Sequence, residues 1–397
     1  MLRHAIPIGR IFGITVDLDY SWFLIVGLLA WMLAVSYFPA AFRTSTAEYW
    51  LLGVVTAVML FVSVLIHELG HSIVAQGYGL EVPRITLFLF GGVSQIAAEP
   101  PNAGAEFWIA VVGPLVSFAL AAFFWEIEPL FAWSPGWFAV LKYLALLNLI
   151  LGIFNLVPGF PLDGGRVLRA VVWKATGGYQ RATAVAATTG RFFGFVLIFW
   201  GVWDVLRGDF INGLWIAFIG WYLESAAGAQ LQMEAAKALM SEHRVADAMR
   251  QDFPRIGGET TLEEIVERFV MTGNSRYFVV SGPSGTRGLV TLGTIQSEPR
   301  QAWGSTTAAQ VMIPAEKLRR ATPEEGLWAA LEQMGRDGIN ELPVMEGGEI
   351  VGMLSSEDIM HYLQVLQTFA TGSGPAAARR AMLHRGFPVD RGHTHLP

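Results

Sequence analysis

The chain has 397 residues, of which 53% are hydrophobic and only 15% are charged. This composition is unusual for a soluble protein and predicts a membrane region. The formal charge of −6 and the lack of a basic run interleaved with aromatic residues give nucleic-acid binding little support. Without cysteine there is no disulfide, thiolate zinc ligand or cysteine nucleophile, so any metal must be held by histidine and carboxylate.

Six apolar segments approach the roughly 20 residues that a membrane-spanning helix needs. The first follows Arg3 and Arg10. Because it is long and lacks a small-residue cleavage site, we interpret it as a retained helix and not as a signal peptide. The last two segments are the least distinct as separate spans. The six segments cover residues 18–38, 50–76, 106–125, 137–157, 189–206 and 210–226.

Basic residues are concentrated on one side of these segments. The opposite loops hold only Arg43 and Arg207. The positive-inside rule therefore predicts a multi-pass protein of the cell membrane with its N-terminus and its C-terminal half in the cytosol. The basic cluster between the fourth and fifth segments consists of Arg166, Arg169, Lys174, Arg181 and Arg191.

The second segment contains the motif HELGH, from His67 to His71. Residues four apart share one face of a helix, so both imidazoles can point at one ion. Glu68 is near enough to deprotonate a water molecule that zinc activates. The alternative is two ordinary helix histidines beside a surface glutamate. Ionisable groups at membrane depth cost several kcal/mol, however, which favours a functional role.

The loop at residues 79–104 is not a simple linker. Its stretch ITLFLFGGVSQI predicts a strand, a break at Gly91–Gly92 and a second strand. The hydrophobicity of this hairpin predicts that it dips into the membrane. Its backbone groups then need protein or a bound strand as hydrogen-bond partners, because lipid offers none.

A catalytic zinc site needs three protein ligands and one open position. The fourth segment runs into NLVPGFPLDGG, where Asp163 is the lone acid at the membrane edge. Two prolines end the helix, and Gly164–Gly165 permits a tight turn that directs the carboxylate back into the bundle. The alternative role for Asp163 is to cap a helix that begins near Arg166. The ligands predicted for one zinc ion are His67, His71 and Asp163.

These two motifs together resemble those of the site-2 protease family of intramembrane metalloproteases, over roughly residues 1–230. HELGH matches the family's first motif, and NLVPGFPLDG, from Asn155 to Gly164, matches the second. The resemblance implies that Glu68 is the catalytic base and that Asn155 orients the substrate or stabilises the oxyanion. It also implies zinc at the three ligands named above.

Two glycine-containing pairs strengthen the resemblance. Gly113–Pro114 in the third segment and Gly91–Gly92 in the hairpin are similar to features of the family. The hairpin is implied to be the place where an unwound transmembrane substrate pairs as an added strand.

After about Met233 the composition becomes that of an ordinary soluble protein, and a repeat of roughly 60 to 65 residues follows. The stretch from Val245 corresponds to the stretch from Ala308. Each copy alternates a helical pattern with β-branched runs, which predicts two small α/β units packed together. The predicted domains are a transmembrane metalloprotease domain (1–230), two repeats (231–300 and 301–370) and a disordered tail (371–397).

The two copies resemble a tandem pair of CBS domains, modules that often bind adenine nucleotides. GMLSSED in the second copy is similar to that family's nucleotide motif, which implies that Asp358 accepts hydrogen bonds from ribose and Ser355 reaches a phosphate. The first copy has Thr294 where the acid is expected. We therefore expect at most one good nucleotide site; the alternative is a purely structural module, through which the chain forms a homodimer.

The predicted fold is a polytopic α-helical membrane protein of about six spans with a membrane-dipping β-hairpin, followed by a cytosolic α/β tandem CBS domain. The predicted function is intramembrane zinc proteolysis of locally unwound transmembrane segments, modulated by a nucleotide. The main alternative is a CBS-regulated transporter or channel, whose ion path can use His and Asp. A transporter would not need a glutamate directly after the first histidine. A catalytically silent scaffold would not need intact ligands.

Overall fold

The computed structural model describes residues 5–270, 276–282 and 285–370. The chain divides into two compact units, Met1–Glu234 and Ala235–Pro397, close to the boundary predicted at residue 230. The predicted disordered tail, 371–397, lies outside the described residues.

Long apolar helices make up most of the first unit. Five segments of the described chain are long and apolar enough to cross a membrane: Tyr20–Ala41, Thr46–Gly77, Ala103–Phe131, Pro135–Asn155 and Tyr179–Leu206. They contain or overlap the first five segments predicted from the sequence; the sixth, 210–226, lies in a helix outside that set. The helices are α1 (Tyr20–Met32), α2 (Phe38–Ala41), α3 (Thr46–Gly77), α4 (Ala103–Ile127), α5 (Pro135–Asn155), α6 (Asp163–Thr176), α7 (Tyr179–Leu206) and α8 (Phe210–Ser241).

A four-stranded sheet accompanies these helices, in the order β1 (Ala5–Ile11), β2 (Ile14–Asp19), β3 (Arg84–Phe88) and β4 (Gly91–Gln95). The hairpin predicted in the loop at 79–104 is β3–β4. Its turn lies at residues 89–90, so Gly91–Gly92 begins β4 and does not form the predicted break. Strands β1 and β2 were not predicted from the sequence.

The first two strands form an antiparallel hairpin, and β2 then pairs with β3 in parallel. The hairpin turn contains Phe12 and Gly13, with φ of 52° and 81°. Positive φ at both central residues is what the type I′ turn requires, one of the two-residue turns that match strand twist. Ile14 and Ile85 are fully buried and belong to one hydrophobic cluster with Leu69 of α3, so the sheet packs on the helix that carries HELGH.

The second unit contains two copies of a strand and helix pattern, as the repeat predicted. β5 pairs with β6 in parallel, and β6, β7 and β8 follow in antiparallel order; β9 and β10 form a second antiparallel pair. The elements are α9 (Val245–Ala248), β5 (Arg255–Gly257), α10 (Leu262–Ile265), β6 (Tyr277–Gly282), β7 (Gly285–Thr291), α11 (Leu292–Gln296), α12 (Ala308–Val311), β8 (Ile313–Pro314), α13 (Leu327–Asp337), β9 (Glu341–Glu346), β10 (Glu349–Ser355) and α14 (Ser356–Ala370).

The two copies complete each other. β7 of the first copy pairs with β8 at the start of the second, and in the corresponding way Arg250 at the start of the first copy bridges to Met353 in β10. Val245 and Met249 also pack in the same hydrophobic cluster as Leu342 and Leu354 of the second copy. Each repeat therefore depends on residues that precede or follow the other one.

Candidate metal centre

The structure brings the three predicted metal-binding side chains together. His67 and His71 lie one turn apart on α3, and Asp163 is the first residue of α6. Asp163 Oδ2 is 3.1 Å from His67 Nε2 and 3.2 Å from His71 Nε2, and the two Nε2 atoms are 3.2 Å apart. Both histidines are buried, with 4% and 3% of their surface exposed.

These three donor atoms fit a zinc ion. Zinc bonds of 2.0–2.1 Å in tetrahedral geometry place ligand atoms about 3.4 Å from one another, and the observed triangle is close to that size. Asp163 is an acid, and its neighbours in the triangle are two ring nitrogens whose lone pairs repel its oxygen unless a cation or proton lies between them. Two histidines and a carboxylate, with room for a fourth ligand, are a ligand set of catalytic zinc sites.

Helix α4 orients both histidine rings. Ile109 O accepts a hydrogen bond from His71 Nδ1 at 2.5 Å, and Ser117 Oγ lies 2.8 Å from His67 Nδ1. With Nδ1 of each ring engaged by α4, each Nε2 faces the triangle. Partners of this kind fix the tautomer of a metal-binding histidine.

Glycine at position 113 leaves space for the two rings. A Cβ atom on Gly113 would overlap His71 Nε2 and lie 2.7 Å from His67 Nε2. Gly113, part of a pair selected from the sequence only by resemblance, thus has a direct steric role at the histidines.

Asp163 is placed by a compact turn. α6 begins at Asp163 and not near Arg166, and its N-cap residue is Leu162, so the alternative capping role does not apply. A Cβ on Gly164 would overlap the backbone of Leu156, and one on Gly165 would overlap the backbone of Gly159. Only glycine therefore allows the turn to fold back on itself as tightly as it does.

Ion pairs tie α6 to α4. Glu106 is completely buried on α4, and its Oε1 accepts hydrogen bonds from Arg166 Nε at 3.1 Å and Arg169 Nη2 at 2.5 Å. Helix α4 thus positions all three candidate ligands.

Glu68, the predicted base, lies beside strand β4. Ser94 Oγ donates a hydrogen bond to Glu68 Oε2 at 2.6 Å. A Cβ on Gly92 would lie 2.5 Å from Glu68 Cγ, so the glycine makes room for the glutamate side chain. Sequence reasoning missed Ser94 and Ser117, because each contact depends on how separate elements pack.

Asn155 is the last residue of α5 and is partly exposed. Among the described residues, no hydrogen bond to its side chain is recorded, so its amide is available to a bound molecule. The role of Asn155 in orienting substrate or stabilising an oxyanion stays a prediction.

The residues predicted to bind a nucleotide in the second repeat are already paired. Asp358 is 2% exposed; its Oδ1 accepts from Arg250 Nε at 2.6 Å, and its Oδ2 accepts from Ser355 Oγ at 2.5 Å. Ser355 Oγ in turn accepts from the Asp358 backbone N–H, a reciprocal arrangement at the start of α14. Each oxygen of the carboxylate thus already accepts a hydrogen bond from within the chain, and the nucleotide-binding roles of Asp358 and Ser355 stay predictions.

The first repeat contains the same capping arrangement without an acid. Thr291 and Thr294 exchange hydrogen bonds between side chain and backbone at the start of α11. The shared pattern in the two copies is therefore a helix cap.

Comparisons with known proteins agree in both units. The sequence model described as Peptidase family M50 matches residues 55–129 and 130–197, and the one described as CBS domain matches residues 245–299 and 308–365. The putative zinc metalloprotease Rip3 of Mycobacterium tuberculosis is 36% identical over 374 residues, which cover 92% of this chain and 94% of the relative. The putative zinc metalloprotease sll0528 of Synechocystis sp. is 32% identical over 368 residues, 91% of this chain and 96% of the relative. A solved site-2 protease from Methanocaldococcus jannaschii is 30% identical with a TM-score of 0.43, covering 57% of this chain and 95% of that one.

Proposed function

The chain belongs to peptidase family M50 and is an intramembrane zinc metalloprotease with tandem CBS domains, and we propose that it cuts transmembrane segments of other membrane proteins. Family membership gives the enzyme class and sets aside the transporter or channel alternative. In the proposed site His67, His71 and Asp163 hold the zinc ion, and Glu68 is the base.

One observation carries the assignment of these residues. Three donor atoms from α3 and α6 converge within 3.1–3.2 Å of one another, in a buried site, although His67 and Asp163 are 96 residues apart in the chain. Such a convergence is costly unless a cation occupies its centre, because the donors repel one another and are shielded from water.

Zinc held by His67, His71 and Asp163 would supply a Lewis acid for the scissile carbonyl and would lower the pKa of a water molecule towards neutrality. Glu68 would accept a proton from the attacking water and then deliver it to the leaving amine. Asn155 donates from its amide to the substrate carbonyl, where negative charge develops. Helix α4 keeps the rings fixed through Ser117 and Ile109, so that the site needs little reorganisation during the reaction.

The substrate class follows from the position of the site. A transmembrane helix hides its peptide bonds in its own hydrogen bonds, so it must unwind locally before it can be cut. In the described part of the chain β4 pairs only with β3, so its outer edge has unpaired backbone groups. An unwound segment can satisfy its own groups by adding to that edge as a strand.

We also propose that α8 supplies a sixth span. Its first half packs against α7 through glycines: a Cβ on Gly194 would lie 2.9 Å from Gly220 O, and one on Gly201 would overlap Gly213. Only a short connection separates the two helices, which run antiparallel as a result. An even number of spans puts the CBS pair on the same side as the N-terminus, the cytosol by the positive-inside rule.

This topology can be tested cleanly because the chain has no cysteine. Single substitutions Ala132→Cys and Ser305→Cys place one thiol in the connection after α4 and one in the second unit. A membrane-impermeant maleimide should label the first in intact cells and the second only after lysis. Labelling of both in intact cells would contradict the proposed orientation.

We also propose that an adenine nucleotide binds to the CBS pair, on the condition that it displaces a contact already made within the chain. Arg250 and Ser355 already donate hydrogen bonds to the Asp358 carboxylate, so a nucleotide must compete with Arg250 for it. Titration of the full chain with ATP should then give tighter binding to Arg250→Ala than to the wild type, and weaker binding to Asp358→Asn. If ATP binds to none of the wild type, Arg250→Ala and Asp358→Asn, the CBS pair is a structural module.

A homodimer formed through the CBS pair is also proposed, since such modules commonly associate. Light scattering on the purified chain in detergent should give twice the mass of one chain. The mass of a single chain would contradict this part of the proposal.

The central experiment compares wild type with Glu68→Gln on a panel of single-span membrane proteins, with zinc content measured for both. The variant should keep its zinc and cut about 10²–10⁴-fold more slowly, since this is the usual contribution of a general base. Glu126→Gln, at an exposed acid on the same membrane unit, is the matched control and should cut normally. Equal cleavage by wild type and Glu68→Gln would refute the mechanism.

A further inference from the structure

Strand β4 presents two residues to Glu68 from one face. Successive side chains on a strand alternate between faces, so Gly92 and Ser94 lie on the same side. Gly92 leaves the space that the Glu68 side chain fills, and Ser94 Oγ donates to Glu68 Oε2 at 2.6 Å. One face of β4 therefore fits the carboxylate of the proposed base in both shape and hydrogen bonding.

The hydrogen bond has a defined direction. Oε2 of an ionised carboxylate can only accept, so Ser94 must use its single hydroxyl proton on Glu68. Ser72 Oγ, one turn after Glu68 on α3, donates its own proton to the Glu68 backbone carbonyl at 2.8 Å. Its approach to Ser94 Oγ at 3.2 Å therefore leaves the Ser94 proton to the carboxylate.

The other carboxylate oxygen of Glu68, Oε1, remains available for the reaction. Among the described residues no hydrogen bond to Glu68 Oε1 is recorded. With Oε2 held by the strand, rotation of the carboxylate is restricted and Oε1 is the oxygen that can take a proton from water. A general base needs this kind of fixed geometry before its basicity matters.

We propose that Ser94 is a positioning residue for Glu68: through it, the edge strand of the sheet fixes the catalytic carboxylate at the place where an added substrate strand would lie. This inference rests on the proposed function and deepens it. The hairpin then serves the reaction in two ways, since its outer edge pairs with the substrate and its inner face holds the base.

The test uses a matched pair at one position, Ser94→Thr and Ser94→Val. The two side chains have nearly the same shape and both suit a strand, but only threonine retains the hydroxyl. Purified full-length variants are assayed on a single-span protein that the wild type cuts, with zinc content, kcat and KM measured. We expect Ser94→Thr to keep kcat within about 3-fold of wild type and Ser94→Val to lose about 10-fold, as for one hydrogen bond in the transition state.

Both variants should keep their zinc and a KM near that of the wild type. Equal kcat values for the threonine and valine variants would overturn the proposal, whether both are fast or both slow. A rise in KM with unchanged kcat for Ser94→Val would also overturn it, because the serine would then serve substrate pairing. Failure of the wild type to cut, or cutting by Glu68→Gln, would instead count against the proposed function itself.

Discussion

Two aspartates, one in each unit, stand at the start of a helix, Asp163 with a side chain that is 14% exposed and Asp358 buried, and their surroundings differ in kind. Asp163 in the membrane unit faces two histidine nitrogens. Asp358 in the CBS pair faces an arginine and a serine hydroxyl, both of which donate hydrogen bonds to it. The neighbours of the first carboxylate need a cation to hold them together, whereas those of the second already satisfy it.

This difference distinguishes the carboxylate that we propose as a metal ligand from one that already has hydrogen-bond donors within the chain. A buried carboxylate must be paired, because an isolated charge away from water is costly. Where the protein supplies the donors, as at Asp358, the site is complete without a ligand. Where it supplies further acceptors, as at Asp163, the missing partner is a cation. The identity of the neighbouring atoms, and not the burial of the aspartate, is therefore the informative feature.

The contrast between Asp163 and Asp358 is tested most directly by making the same substitution at both positions. Asp163→Asn should weaken zinc binding by at least ~100-fold, because loss of a direct ligand costs no less than loss of an outer partner. Asp358→Asn should leave zinc content unchanged. Zinc is measured by metal analysis after dialysis against a chelator. Retention of zinc by Asp163→Asn would mean that Asp163 is not a ligand.

Gly113→Ala should reduce zinc binding nearly as much as Asp163→Asn does. Its Cβ would overlap His71 Nε2, so at least one ring must leave the triangle. We expect loss of bound zinc together with loss of cleavage. Gly77→Ala, at the end of α3, is the matched control, since a Cβ there meets nothing within 4 Å. Normal zinc content in Gly113→Ala would show that the rings can adjust without cost.

Local sequence patterns were sufficient to predict most of the helices and the three side chains that the structure brings together at the candidate metal centre. HELGH places two imidazoles on one helical face, and the carboxylate that completes the set follows from a motif at the end of α5. Strand β2 was missed because its partner β3 begins 65 residues after β2 ends, and parallel pairing over that separation leaves no local pattern. Strand β1 pairs only with β2 among the described residues and was missed with it. The turn at Phe12–Gly13, between alternating residues, was the one available signal.

The supporting contacts could not be predicted for the same reason. Ser117 lies near His67 only because α4 crosses α3 at Gly113, and Ser94 reaches Glu68 only in the observed register of β4. Arg250 is 108 residues from Asp358 in the chain. A nucleotide motif read from the second copy alone therefore did not reveal that its acid was already paired.

Ser117→Ala should have an intermediate effect on zinc affinity, and it tests the role of α4 in orienting His67. Without the hydroxyl, His67 Nδ1 loses its partner and the ring is less firmly oriented. Zinc affinity should fall about 10-fold, the lower end for loss of such a partner. Competition with a chromogenic chelator measures the affinity directly. Ser117→Thr retains the hydroxyl and should keep most of the zinc affinity. Equal losses of affinity for the alanine and threonine variants would indicate an effect of packing and not of the hydrogen bond.

The smallest expected effect concerns the Arg250–Asp358 pair, and it tests whether Asp358 is structural. Asp358→Ala removes both a helix cap and an ion pair and should destabilise the CBS pair by about 2 kcal/mol. Arg250→Ala should cost a similar amount, because it leaves the carboxylate of Asp358, whose side chain is 2% exposed, without its charge partner.

Combining the two substitutions isolates the pair itself. The double variant should be less destabilised than the sum of the single variants by up to about 1 kcal/mol, the coupling expected for a partly exposed ion pair. Hydrogen exchange of the β10 amides in the full-length chain gives the opening free energy in each case. Because Arg250 also bridges to Met353 through its backbone, which alanine preserves, the coupling reports the side-chain pair alone. Strict additivity would mean that Asp358 acts only as a cap, and its second oxygen would then be open to a ligand.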